Sequence, residues 1–181
     1  SLTDDIDASA IGLTVKKNVT LDLNGHSLKV ANSNATNIKI YGATFTLMDS
    51  TDTNKDGTGQ GKIYTEVPYA EGTYETVAIS VNRGAHFIME SGLIDTASAF
   101  TNHINQGQFA VGLNDGDATV DANITINGGH IKAGWYAVAG NGGCVSANHN
   151  ITVNGGILES VADYAIYHPQ SGTTTINDGI V

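Results

Sequence analysis

The sequence predicts an all-β solenoid of about six or seven rungs, a rung being one full turn of the coil. A short motif, here called the cassette, recurs along the chain. It consists of two apolar residues separated by one residue, a polar turn that ends in glycine, and a further apolar residue. The cassettes are at residues 21–25, 87–93, 124–131, 151–157 and 174–180. Self-similarity at a period of roughly 20–50 residues is typical of solenoids.

The uneven spacing of the cassettes favours strands over helices. Ile124 and Ile151 are 27 residues apart, whereas Ile151 and Thr174 are 23 apart. Helical repeats tolerate little such drift, but short strands joined by loops of variable length accommodate it. A second apolar motif precedes the turn before the next cassette, so each rung carries at least two strands. Its copies are Ala78-Ile79, Ala110-Val111, Ala137-Val138 and Ala165-Ile166.

Alternation within a cassette predicts which side chains face the core. In a strand, successive side chains point to opposite faces. We therefore expect Ile124 and Ile126 to face inward, and Thr125 and Asn127 to face outward.

Composition agrees with one elongated domain over residues 1–181. The chain has 22 glycines and only 2 prolines, which suits turns that need positive φ rather than a disordered linker. Residues 1–19 lack a full cassette and are expected to cap the N-terminal end of the coil. Val181 follows a glycine turn where a further strand is expected, which suggests that the C-terminal end continues into a longer parent protein.

Charge excludes some partners. The formal net charge is −10, with 8 basic and 18 acidic residues. Such a surface disfavours nucleic acid and anionic membranes, and no segment predicts membrane insertion. It suits an extracellular surface or one that collects divalent cations. The single cysteine, Cys144, excludes an internal disulfide.

Residues 19–28, VTLDLNGHSL, resemble the opening of right-handed parallel β-helix domains in large bacterial surface proteins and in bacteriophage tail appendages. The later cassettes, such as TINGGHI at 125–131, extend the resemblance over most of the chain. The resemblance implies a pectate-lyase-like right-handed coil on a bacterial cell surface or a virion. Because this superfamily includes lyases, hydrolases, adhesins and phage spikes, the fold does not decide the function.

Residues 52–57, DTNKDG, fit the first half of an EF-hand calcium loop. The candidate calcium ligands are Asp52, Asn54, Asp56, the Thr58 carbonyl and Gln60. The bidentate glutamate expected at position twelve is replaced by Ile63. Aligning the cassettes makes residues 51–60 an insertion at a rung turn, and insertions on solenoids often carry function. The alternative is an ordinary solvated turn.

A second candidate site follows the insertion. Residues 64–75 contain three of the seven tyrosines and three of the five glutamates. Aromatic rings beside carboxylates are what a carbohydrate site uses. The candidate ligand-binding residues are Tyr64, Tyr69, Tyr74, Glu66 and Glu71. The alternative is a long loop folded back on the coil. Trp135-Tyr136, Tyr164 and Tyr167 also permit a vertical aromatic stack, for which a packing role is expected.

No catalytic constellation is recognisable in the sequence. A lyase of this fold would need a basic residue beside clustered acids, but the only arginine, Arg83, lies in a turn without them. A hydrolase would need paired acids on adjoining rungs, whereas Asp95, Asp121 and Asp163 occur in unrelated contexts. Outward Thr-x-Thr pairs do not recur in register, so a threonine array of the ice-binding type is not expected.

The sequence therefore predicts a non-catalytic surface module for structural display and adhesion, which binds a host or cell-surface glycan or a protein through its inserted loops. The alternative is a polysaccharide lyase or glycoside hydrolase of the pectate-lyase-like type. Calcium is the one candidate cofactor. The oligomeric state is open, with a trimer among the options.

Overall fold

The computed structural model describes residues 1–31, 37–66, 76–97, 108–113, 119–140 and 147–181. These residues form 18 short strands. In chain order the strands are β1 (Ile6–Asp7), β2 (Leu13–Val15), β3 (Val19–Asp22), β4 (Ser27–Lys29), β5 (Ile38–Ile40), β6 (Thr44–Met48), β7 (Lys62–Tyr64), β8 (Thr76–Val81), β9 (His86–Met89), β10 (Leu93–Asp95), β11 (Gln108–Leu113), β12 (Asn123–Ile126), β13 (His130–Ala133), β14 (Tyr136–Gly140), β15 (Asn150–Val153), β16 (Ile157–Ser160), β17 (Ile166–Tyr167) and β18 (Thr174–Ile176).

Every third strand returns to the same sheet, which makes three six-stranded parallel sheets. Sheet A has the order β1-β4-β7-β10-β13-β16, sheet B the order β2-β5-β8-β11-β14-β17, and sheet C the order β3-β6-β9-β12-β15-β18. Each rung contributes one strand to each sheet, so the chain is a right-handed parallel β-helix of six rungs. The predicted fold is confirmed, with three strands per rung.

The core is a set of columns of like side chains that run along the axis. The inward columns are Leu28, Ile63, Ile94, Ile131 and Leu158 in sheet A; Ile38, Ile79, Val111 and Val138 in sheet B; and Phe45, Phe87, Ile124 and Ile151 in sheet C. All of them are buried. The predicted inward orientation of Ile124 and Ile126 is confirmed, since both are at most 1% exposed.

Glycine is required where the coil turns from sheet C to sheet A. Gly129 and Gly156 adopt φ of +83° and +84°, a region that residues with a Cβ rarely enter. A Cβ on Gly129 would also lie 2.7 Å from the carbonyl oxygen of Gly92, and one on Gly156 would lie 2.7 Å from that of Gly129. The glycine that ends each cassette therefore lets successive turns stack closely.

The segment predicted as an N-terminal cap belongs to the first rung. Residues 1–19 contain β1 and β2, which are the first strands of sheets A and B. The backbone of this segment pairs with the second rung, as in the N–H of Leu13, which donates to the carbonyl of Asn37 at 3.0 Å. This first rung shares the strand pairing of the later rungs but is more exposed, with Ile6 of β1 45% exposed.

The outer face of sheet C carries a column of threonines. In-register pairing aligns Thr20, Thr46, Ile88, Thr125, Thr152 and Thr175. Single outward threonines therefore recur in register in five of the six rungs. An amide ladder runs beside them: Asn177 donates to Asn154 at 2.7 Å, and Asn154 donates to Asn127 at 2.8 Å.

Shortening an inward side chain should destabilise the coil far more than shortening its outward neighbour. For Ile151→Ala we expect the free energy of unfolding to fall by about 2–5 kcal/mol, because a fully buried aliphatic group leaves a cavity. Thr152→Ala, one residue further along β15, should cost less than about 1 kcal/mol. Urea denaturation followed by circular dichroism measures both, and equal losses would contradict the assigned orientation.

Candidate functional site

The predicted insertion lies between the last strand of rung 2 and the first strand of rung 3. β6 ends at Met48 and β7 begins at Lys62, so residues 51–60, here called the insert, replace the short turn used by other rungs. The residues around the insert show how it is held.

Asp49 anchors both ends of the insert. Its side chain is 1% exposed, and its carboxylate accepts hydrogen bonds from the N–H groups of Gly61 at 2.7 Å and Gly25 at 2.9 Å. Thr51 donates to the same carboxylate through its N–H at 3.1 Å and its hydroxyl at 2.8 Å. Ser91 exchanges hydrogen bonds with the Asp49 backbone at 2.9 and 3.0 Å. Asp49 thus ties the insert to the turns that precede and follow it along the axis.

Asp52 performs a similar role one turn further on. It is 4% exposed, and one carboxylate oxygen accepts from the N–H groups of Gly92 at 2.8 Å and Gly57 at 2.9 Å. The other oxygen lies 3.3 Å from the N–H of Asp56. The buried charge is therefore balanced by backbone donors from the insert itself and from the turn before β10.

The tip of the insert reaches the turn between rungs 4 and 5. The carbonyl of Lys55 accepts from the N–H of Gly129 at 2.6 Å, and the Lys55 ammonium lies 3.8 Å from the Glu90 carboxylate. Gly57 packs so closely on His130 that a Cβ there would collide with it. The insert is thus a staple across successive turns.

The remaining predicted calcium ligands lie on the outside of this staple. Asn54, Thr58 and Gln60 are exposed, and the Asp56 carboxylate accepts from the Thr58 N–H at 3.0 Å. Among the described residues, no group of three His, Cys, Asp or Glu side chains is placed to hold a metal ion. Calcium binding by the insert stays a prediction, which calorimetric titration with calcium chloride tests.

The structure places two of the predicted ligand-binding residues on sheet A. Tyr64 ends β7 on the outer face, with the Lys62 ammonium 4.5 Å from its ring centroid. The exposed Glu66 lies 2.8 Å from the ammonium of Lys29. The other three, Tyr69, Glu71 and Tyr74, are outside the described residues.

A second group of aromatic residues lies on the outer side of sheet B and is called the aromatic ladder: Phe109, Tyr136 and Tyr167, one per rung in rungs 4 to 6. The ring centroids of Phe109 and Tyr136 are 5.3 Å apart, and those of Tyr136 and Tyr167 are 5.0 Å apart with an interplanar angle of 16°. Trp135 meets Tyr136 edge-on at 5.8 Å. This confirms that a vertical stack forms.

Exposure along the ladder increases from rung 4 to rung 6. Phe109 is 9% exposed and Tyr167 is 41% exposed, while the neighbouring Tyr164 is 68% exposed. Tyr136 donates its phenolic hydrogen to Asp163 at 3.2 Å. Burial, assisted by the Asp163 carboxylate, raises the pKa of the Tyr136 phenol, which therefore stays protonated as a donor. The exposed end combines ring faces with a carboxylate.

Sequence reasoning identified part of this ladder. Phe109 was missed, although it precedes Ala110-Val111 just as Tyr136 precedes Ala137-Val138, so aligning the second motif would have found it. The same alignment places Tyr164, not Tyr167, opposite Tyr136. The backbone register keeps that alignment, since Ile166 pairs with Val138 and Tyr167 with Ala139, but it is the ring of Tyr167 that stacks on Tyr136.

Outward carboxylates on sheet A do not pair across adjacent rungs in the described residues. Asp7 lies beside Lys29, and both Asp95 and Glu159 lie beside Lys132. The charges in this column therefore alternate, which differs from the closely spaced acid pair of a glycosidase.

Comparisons with protein-family models, curated proteins and solved structures found no match to the chain. Within the described residues, no helix has the length and apolarity needed to cross a membrane.

Removing the Asp52 carboxylate should destabilise the coil. Asp52→Ala leaves the N–H groups of Gly57 and Gly92 without their acceptor, at a cost of about 1–3 kcal/mol for each buried donor. Asp56→Ala is the matched control, because that carboxylate bonds to Thr58 within the insert, and a much smaller loss is expected. Urea denaturation measures both, and equal stabilities of the two variants would contradict a stapling role.

Acid should weaken the anchor at Asp49. Burial opposes ionisation of its carboxyl, but hydrogen bonds from Gly25, Thr51 and Gly61 outweigh burial and hold its pKa below the ordinary value. The folded state therefore binds fewer protons, so this contribution to stability is complete above the unfolded pKa and is lost as pH falls through the folded one.

We therefore expect the urea midpoint to fall below about pH 4. The fall should be smaller in Asp49→Asn than in the parent protein or in Asp4→Asn, whose side chain is exposed. An Asp49→Asn profile with the parent's slope would show that another carboxylate governs acid sensitivity.

Proposed function

We propose that this chain is a non-catalytic β-helix module displayed at an extracellular surface, and that it binds carbohydrate through the aromatic ladder. The observation that carries the proposal is the stack of Phe109, Tyr136 and Tyr167, which ends in exposed ring faces beside Asp163.

The chemistry of the ladder suits a sugar ring. Aromatic faces pack against the apolar C–H surface of a saccharide, and a carboxylate accepts hydrogen bonds from its hydroxyl groups. Tyr164 and Tyr167 offer exposed rings, and the exposed Asp163 accepts the hydrogen bond from the Tyr136 hydroxyl. Strands β14 and β17 hold Tyr136 and Tyr167 at a fixed spacing, so little ordering of these two rings is needed on binding.

A display role is supported by the construction of the rod. A six-rung coil with columns of like residues inside is stiff and presents outward side chains at the strand spacing of about 4.8 Å. The net charge of −10 favours solubility and disfavours anionic polymers over most of the surface. A cell or virion surface is the proposed location, with host or cell-surface glycans as partners.

The alternative, a polysaccharide lyase or glycoside hydrolase, has less support. Such an enzyme needs acids or bases converging on one bond, with two carboxylates roughly 5–10 Å apart in most hydrolases. On the outer face of sheet A, acidic and basic side chains alternate: each of Asp7, Asp95 and Glu159 has a lysine as its neighbour on the next strand. This alternation suits a solvated face.

Truncating the exposed end of the ladder should weaken sugar binding. Trp135 is the only tryptophan, so its fluorescence reports on this surface. We expect chitotetraose or cellotetraose to shift its emission, and Tyr167→Ala to weaken binding about 3- to 10-fold, the equivalent of about 0.5–1.5 kcal/mol. Tyr64→Ala removes the same side chain from sheet A and should leave the affinity unchanged.

Three results would contradict the proposal. A loss confined to Tyr64→Ala would move the site to sheet A, and no response to any sugar of a neutral panel would remove the role of the aromatic ladder in carbohydrate binding. Release of new reducing ends or of unsaturated products on long incubation would favour the enzyme alternative.

A further inference from the structure

An open cleft of about 590 Å³ lies on the outer face of sheet B, at the opposite end from the aromatic ladder. The residues that line it are Thr14, Lys16, Lys39, Tyr41 and Arg83. These come from rungs 1 to 3 and are distant in sequence, so the coil alone brings them together.

Backbone pairing fixes the walls of the cleft. Thr14 and Lys39 are in-register neighbours on β2 and β5. Tyr41 follows β5, and its N–H donates to the carbonyl of Val15 at 3.0 Å, while the carbonyl of Arg83 accepts from Gly42 at 2.9 Å. The backbone of Lys39 and that of Arg83 are therefore held by hydrogen bonding between rungs.

The charges of the cleft contrast with the rest of the molecule. The chain has only 8 basic residues against 18 acidic ones, yet 3 of the 8 line this cleft. Lys29, Lys55 and Lys132 each pair with a carboxylate. In the part of the chain that the structure describes, Lys16 and Lys39 form no such ion pair. The cleft is thus a local concentration of basic charge on an acidic protein.

We propose that this cleft binds the anionic group of an acidic saccharide, such as a uronic acid. The ammonium groups of Lys16 and Lys39 suit a carboxylate, the Thr14 hydroxyl suits sugar hydroxyls, and the Tyr41 ring offers a stacking face. The volume lies within the range of small-ligand sites. A long polyanion would extend onto acidic surface, whereas a short acidic sugar need not. The choice of a saccharide rests on the proposed function, but the anion preference rests on the cleft's own charges.

Calorimetry with a hyaluronan tetrasaccharide, which carries glucuronic acid, tests the proposal against neutral chitotetraose. We expect the parent protein to bind the acidic sugar more tightly than the neutral one. The double variant Lys16→Ala/Lys39→Ala should bind the acidic sugar at least about 10-fold more weakly, because it loses two charge-assisted contacts. The affinity should also fall with added salt. Lys62→Ala/Lys132→Ala removes the same charge from sheet A and should have little effect.

The outcomes separate this inference from the role of the aromatic ladder. An equal loss of affinity for the acidic sugar in both double variants would show that net charge alone governs binding, and would overturn the cleft site. Inorganic phosphate binding as tightly as the tetrasaccharide would overturn the saccharide assignment. Neutral sugar binding equally well, with a Tyr167-dependent response of Trp135, would overturn the anion preference while supporting the ladder. Acidic sugar binding that is sensitive to Lys16 and Lys39 but not to Tyr167 would support the cleft alone.

Discussion

Parallel hydrogen bonding between successive rungs, in strict register, is the constraint on which this structure depends. A single rung cannot bury its own apolar face, and it becomes stable only when like side chains stack above and below it. A slip of one residue would turn Ile124 and Ile126 outward and Thr125 inward, and would break the columns on all three sheets. The glycines at the turns from sheet C to sheet A serve the same register, since Gly129 and Gly156 let one turn rest on the next.

The insert interrupts the repeat and yet adds to its cohesion. Two carboxylates that are buried in an acidic protein would be costly alone, but Asp49 and Asp52 are each satisfied by backbone N–H groups from more than one turn. The alternation of oxygen-bearing residues that resembles a calcium loop is also what such a tight, amide-bonded turn needs, because Asp52 and Asp56 accept the N–H groups of residues two to five positions ahead. The same local sequence pattern is therefore compatible with a calcium loop and with an amide-bonded turn, and only the position of the neighbouring turn distinguishes the two.

The pattern of apolar and polar residues within each repeat predicted the fold well, because every rung of a solenoid has the same local structure. Alternation at Ile124 and Ile126 and the cassette glycines were enough to give the fold class, a rung count of six or seven and the position of the insertion, but not the third strand of each rung. The surface was harder to predict, since contacts there join residues separated by one or more rungs. Lys16, Lys39 and Arg83 share a cleft only because loops of different length return each strand to the same sheet. The ring of Tyr136 stacks on Tyr167, whose backbone partner is Ala139, and alignment of the repeats does not contain this diagonal contact.

The insert also changes how the coil resists tension along its axis. In a simple solenoid each rung is held only by its two neighbours, so tension can separate rungs one at a time. Here residues 49–57 contact Gly25 in the turn between rungs 1 and 2, Gly92 in the turn between rungs 3 and 4, and Gly129 in the turn between rungs 4 and 5. Opening any of these interfaces must also break bonds from the insert. The middle of the coil is therefore expected to resist tension as one mechanical unit, in which the outward side chains keep their spacing.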